Sequence, residues 1–379
     1  SGVQSVIGQV SGGHMSYVDG TLQVSGSSAD LYLFNPAGIL FGPSAQLNLG
    51  GSFTAASADK DGFGDAWLDI ATTTDYRDFT SAPTAYQFTA TPSTNPSITS
   101  STALSTNATQ PGTIINRGDL AVDEQQAIQL IGGEVINTGT LSASAGSVTL
   151  SAVPGESVIR LDTEGGLLSL EIEANAMRPA TLPELITGGG ANIAEELQLN
   201  SDGSLTASGM GNPGVRNTGS LSTTAQTPGQ IGGDISLFGS QIDVIKGQLN
   251  ASGAAGGGHI RIGGDYQGKG TLPTASSVFF GNGAIAQADA LTSGNGGQII
   301  LWANEQTHVA GQLSAQGAAE GAGGLVETSG LEQLIIDETA SVSTESPSGK
   351  VGTWLLDPID LTIVDSGGTA GITGGSNTP

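Results

Sequence analysis

The sequence has 379 residues, with 10 Lys or Arg against 35 Asp or Glu for a formal charge of −25, and no cysteine. Such a balance repels phosphate backbones and anionic headgroups, which excludes nucleic acid as a partner, and the missing thiols exclude disulfides, Cys zinc sites and cysteine nucleophiles. Aromatic residues are only 4% while glycine is 60 of 379, about twice the usual ~7%, so small residues repeating in a tight lattice are expected in place of one core of large side chains.

The chain opens on Ser1-Gly2-Val3, strand-like and without the charged and apolar regions of a secretory leader, so it reads as starting inside a longer protein. No apolar run reaches 18 residues, so no membrane-spanning helix is expected. Residues 1–58 alternate short strands with turns. Among these, Asn35-Pro36-Ala37-Gly38 is a tight turn between Leu31–Phe34 and Ile39–Phe41: Pro36 fixes φ and extends Asn35, and Gly38 supplies a positive φ. Residues 59–113, rich in Ser, Thr, Pro and Ala, lose the alternation and are expected to leave the scaffold as an excursion or hairpins lying on it. Alternation returns over 114–161, as in Ser147-Val148-Thr149-Leu150. A second excursion covers 162–203, where 183–200 reads as partly helical. From 204 to 379 the bursts resume, with Asp234-Ile235-Ser236-Leu237, His259-Ile260-Arg261-Ile262 and Gln298-Ile299-Ile300-Leu301, each too short for a helix.

A repeat runs through these strands. Asn116-Arg117-Gly118-Asp119-Leu120 returns as Asn137-Thr138-Gly139-Thr140-Leu141 and as Asn217-Thr218-Gly219-Ser220-Leu221, with degenerate copies at Gly247-Gln248-Leu249 and Gly311-Gln312-Leu313. Asn tolerates the left-handed region and Gly enters it freely, so Asn116/Gly118, Asn137/Gly139 and Asn217/Gly219 are expected as corners, with the Leu after each pointing inward. A repeat near 21 residues makes one coil of three short strands. Stacked at ~4.8 Å, about a dozen coils give an all-β, parallel β-solenoid roughly 60 Å long, with extra-helical excursions.

Residues 22–58 carry a more specific signal. Asn35-Pro36-Ala37-Gly38-Ile39, Phe41-Gly42-Pro43 and Gly50-Gly51-Ser52-Phe53 resemble the secretion domain of filamentous-haemagglutinin-like two-partner secretion exoproteins, many of which have Asn at the place of Ala37. Trp354-Leu355-Leu356-Asp357-Pro358 resembles a strand of long, cyanobacterial-type members. The resemblance implies a right-handed parallel β-helix, with residues 1–58 the C-terminal part of the secretion domain. It also implies export through an Omp85-type outer-membrane transporter with POTRA domains, to the cell surface or beyond. Turn-making alone accounts for Asn35 to Ile39, and direct contact with a transporter is a compatible second role.

Motifs for other chemistry do not hold together. Arg117-Gly118-Asp119 has the adhesive tripeptide, but it falls out of the repeat, with Arg117 in the place of Thr138 and Asp119 in that of Thr140. Gly263 to Gly270 approaches a phosphate loop, yet Gly270 stands where Ser or Thr belongs and Thr271-Leu272-Pro273 follows in place of a helix. Asp59, Asp61 and Asp65 sketch part of a Ca²⁺ loop without its closing Glu. His14, His259 and His308 are far apart, and Trp302 and Trp354 read as packing residues. No catalytic residue, metal site or cofactor is expected. The expected protein is a non-catalytic surface rod acting in adhesion, with host or neighbouring-cell glycans or proteins as partners, or as a surface fibre. One alternative is a self-assembling filament subunit, since unpaired strand edges invite a homo-polymer. The other is a β-helix polysaccharide lyase or hydrolase, against which the ten scattered basic residues argue.

Overall fold

A computed structural model of the chain describes residues 3–26, 28–63, 66–70, 82–89, 111–153, 155, 157–161, 167–172, 197–199, 205–207 and 214–363. These residues form a parallel β-helix. Successive strands alternate between three faces, and each pairs in parallel with the strand one coil later: Ser5–Gln9 with Asp30–Phe34, Ser16–Val18 with Ile39–Phe41, Thr21–Gln23 with Gln46–Asn48. The largest sheet has nineteen strands. One of them, Gln298–Val309, turns the corner from the first face to the second, so each of these faces has ten rungs. The third face has nine. Among the described residues, ten rungs at ~4.8 Å give a rod of roughly 45 Å.

The sequence repeat is the third face. Leu120, Leu141, Leu221, Leu249, Ala286, Leu313 and Val342 lie in one register, and Leu120, Leu141 and Leu221 are fully buried. Val148, Ile235, Ile260, Ile299 and Val326 make the matching ladder on the first face. Alternation of period 2 puts every second residue of each strand inside, and parallel stacking puts like on like. Each such Leu contributes about 2 kcal/mol of burial.

The two excursions meet. Lys60–Phe63, Ala66–Asp69 and Ala85–Phe88 from the first, and Ser157–Leu161 and Leu167–Ile172 from the second, form one antiparallel five-stranded sheet. A second apolar cluster glues it to the outer side of the first face: Tyr32, Phe34, Ala56, Ile131 and Val153 from the coils meet Ile70, Tyr86, Phe88 and Ile159. The strand Ser157–Leu161 therefore belongs to this sheet, although it lies within the span 114–161 read as coil. Of the segment 183–200 read as partly helical, Leu197–Leu199 is a strand paired with Leu205–Ala207, and the rest lies outside the described residues.

Candidate functional site: the Asn35 to Ile39 turn and the corner asparagines

Asn35 is fully buried and organises the turn. Its Oδ1 accepts from the Ala37 N–H at 3.0 Å, and its Nδ2 donates to the His14 carbonyl at 2.9 Å and the Ser16 hydroxyl at 2.8 Å. The Gly38 N–H closes the turn on the Asn35 carbonyl at 2.8 Å. Gly38 has φ +100°, and a Cβ there would stand 2.5 Å from the Thr113 carbonyl oxygen, so glycine is needed twice over. The Gly112 N–H donates to the Pro36 carbonyl at 3.1 Å from the far side. The turn is thus clamped between the coil before it and the coil after it, Ile39 is fully buried, and only Pro36 and Ala37 reach partly into solvent. Because Ala37 contributes only its backbone N–H to the turn, the turn itself does not dictate the side chain at this position.

The corner asparagines work differently from the expectation. Asn116, Asn137 and Asn217 do not adopt positive φ, and neither do Gly118, Gly139 and Gly219. The asparagines are inward-facing rungs at the end of the second face, in register with Phe41 before them and Val244 after them. All three are fully buried. Asn116 Nδ2 donates to Asn137 Oδ1 at 2.8 Å, and Asn137 Nδ2 donates to Asn217 Oδ1 at 2.7 Å, an amide ladder that satisfies in the core groups that would otherwise be costly there. The glycines are required by contact, not by dihedral angle: a Cβ on Gly139 would lie 2.1 Å from the Gly118 carbonyl oxygen, and on Gly219 2.0 Å from that of Gly139. The signal was present in the sequence, because Ile114 and Asn116 share strand parity, so an inward Ile114 demanded an inward Asn116.

The remaining motifs fall into separate places. Arg117 and Asp119 are exposed on either side of buried Gly118, and their N–H groups are spent on the Phe41 and Ala45 carbonyls of the previous coil. Gly263 to Gly270 contains a three-residue 3₁₀ turn, Tyr266–Gly268, followed by extended backbone; the helix N-terminus of a phosphate cradle is missing from these residues. Asp59 is held by the N–H and hydroxyl of Thr89 at 2.6 and 2.8 Å. Asp61 is fully buried beneath the five-stranded sheet, where burial pushes its carboxyl up to about 8. Neither carboxylate is presented as a Ca²⁺ ligand, and Asp65 lies outside the described residues. Among the described residues no group of three His, Asp or Glu is placed to hold a metal. His259 Nδ1 lies 2.9 Å from Asp234 Oδ1, His308 packs edge-on to Phe279, and the His14 carbonyl serves Asn35. Trp302 is 6% exposed, while Trp354 in the last described coil is 40% exposed and donates to the Thr328 hydroxyl.

Comparison with known proteins gives a family. The family model described as TPS secretion domain matches residues 1–207. Among solved structures, the chain is similar to the HMW1 secretion domain from Haemophilus influenzae, at 21% identity over 94% of this chain and 87% of that one, with a TM-score of 0.46. No curated protein matches.

Proposed function

The chain belongs to the TPS secretion-domain family and is a two-partner-secreted protein, exported across the outer membrane by a dedicated outer-membrane transporter, and from that premise we propose that it is a non-catalytic surface rod. The observation that supports the rod is continuity. The parallel pairing of all three faces passes from the family-matched residues 1–207 into the coils up to residue 363, with one register shift between Ala275 and Ser277: Asn137 pairs with Asn217, Leu141 with Leu221, and Val148 with Ile235. One stack of rungs serves export and extends from it, as a spacer or adhesive stalk would. The transporter partner in this reading is of the Omp85 type with POTRA domains, and it meets the half-exposed Pro36–Ala37 edge of the turn.

The test is co-expression of the chain, behind a secretory leader, with its transporter. Ala37→Arg alters the exposed edge and leaves the Asn35-centred hydrogen bonds in place. Secretion is expected to fall about tenfold for this variant while the purified protein keeps its β-sheet circular dichroism. Wild-type secretion of Ala37→Arg would rule out the contact, and surface display without the transporter would rule out the route.

A further inference from the structure

The loop from Gly263 to Thr274, whose glycines suggested a phosphate cradle, has another use. It leaves the rod after His259–Ile262 and folds back over the following coils. Gly263, Gly264, Gly268 and Gly270 all have positive φ, and Gln267, a non-glycine, is held at φ 56°, ψ 28°. What holds it is visible: its N–H donates to both oxygens of Glu327, each at 3.1 Å, and Glu327 is fully buried on the first face two coils later. Burial raises the Glu327 carboxyl, and the Gln267 N–H opposes that rise. The loop lies directly on Trp302, so that a Cβ on Gly268 would fall 2.3 Å from the indole. The Trp302 Nε1–H, in a side chain more than nine-tenths buried, has no hydrogen-bond partner among the described residues. Left-handed backbone at a non-glycine and an unpaired buried donor are both costly; the indole N–H lies beneath Gly268, closed off by the loop.

Beside this loop lies a groove of about 330 Å³ lined by Gln267, Lys269, Trp302, Leu331, Asp357, Pro358 and Ile359, at the lower end of small-ligand sites. Its polar side is a relay: Lys269 Nζ donates to Gln267 Oε1 at 2.6 Å, and Gln267 Nε2 donates to Asp357 Oδ2 at 3.3 Å. Its apolar side is Leu331, 48% exposed, with Pro358 and Ile359, 75% exposed. One ammonium and one carboxylate make the lining electroneutral within a chain of −25. An anionic ligand meets the wrong overall field, and a cationic one meets Lys269. A neutral ring with hydroxyls on its edge and C–H groups on its face satisfies both sides. The geometry points to a binding site for a neutral saccharide in this groove, formed by Gln267, Lys269 and Asp357 against Leu331 and Ile359. The site stands independently of the transporter contact.

The test uses the full chain and NMR, observed on the ligand for binding and on the protein for its indole N–H resonances, with methyl glucoside, methyl galactoside, methyl mannoside and N-acetylglucosamine, and with glucuronate and glucosamine as charged controls. Saturable binding of at least one neutral sugar is expected, with a shift in one of the three indole N–H resonances. Lys269→Ala and Ile359→Ser change exposed side chains, and each is expected to weaken binding about tenfold while thermal unfolding is unchanged. Binding by none of the neutral sugars overturns the proposal, as does wild-type affinity in both variants. Tighter binding of glucuronate or glucosamine overturns the assignment to a neutral ligand.

Discussion

Replacing Asn137 by Leu isolates the amide ladder. The two side chains are close in volume, so the change removes hydrogen bonds with little cavity. Lost outright are the 2.8 Å bond from Asn116 and the 2.7 Å bond to Asn217. Asn116 Nδ2 keeps only long contacts, 3.3 Å to the Gly118 carbonyl and 3.4 Å to that of Thr140, and Asn217 Oδ1 loses its ladder donor. A net hydrogen bond contributes about 1 kcal/mol, and each stranded buried group costs about 1–3 kcal/mol more. The single variant should therefore lose about 3–5 kcal/mol. Replacing Asn116, Asn137 and Asn217 together by Leu removes the ladder's donors and acceptors as pairs and strands the Gly118 N–H, which donates to Asn116 Oδ1 at 3.1 Å, so it should cost less than the sum of the three single changes. Urea unfolding followed by circular dichroism measures the global effect, and hydrogen exchange at Ile136 and Leu141 reports it locally, as suits a stack in which coils can open separately. A loss under about 0.5 kcal/mol in the single variant, or a triple variant costing the sum of three singles, refutes the ladder as a source of stability.

Gly139→Ala should lower stability by at least about 3 kcal/mol, since its Cβ would sit 2.1 Å from a backbone oxygen of the neighbouring coil, whereas Gly12→Ala, with nothing within 4 Å, should be neutral; thermal melts compare the two. Leu141→Ala, at a fully buried rung, should cost about 2–5 kcal/mol by urea unfolding. Asp61 predicts a pH dependence. Its buried carboxyl titrates at about 8 against an ordinary value of 3.8, so the folded form keeps a proton that the unfolded chain releases. The contribution of Asp61 to stability is then greatest below the ordinary value, falls by about 1.4 kcal/mol per pH unit between the two, and is flat above. Asp61→Asn should reduce the slope over that stretch of the profile, and an unchanged slope would remove Asp61 as a cause. Arg117→Ala with Asp119→Ala, both exposed, should shift stability by under about 0.5 kcal/mol, and cell attachment by the purified chain should not change.

The β-helix was legible in the sequence because a solenoid writes its structure locally. Each rung buries alternate residues of its own strand, so Leu120, Leu141 and Leu221 announced one face through spacing alone. The turn at Asn35 was legible for the same reason, since Pro36 and Gly38 act on their own dihedral angles. Contacts between residues far apart in the chain were not. The five-stranded sheet joins Ala85–Phe88 to Ser157–Leu161 across a gap of some seventy residues, and no local pattern says which excursion pairs with which. Gln267 reaches Glu327 and Asp357 at separations of 60 and 90 residues, so a motif that looked like a failed phosphate loop became a lid over Trp302 only in three dimensions. The corner glycines mark the boundary between the two kinds of information. Their positions are in the repeat, but their reason is the carbonyl of the coil beneath, a neighbour that exists only once the coils have stacked.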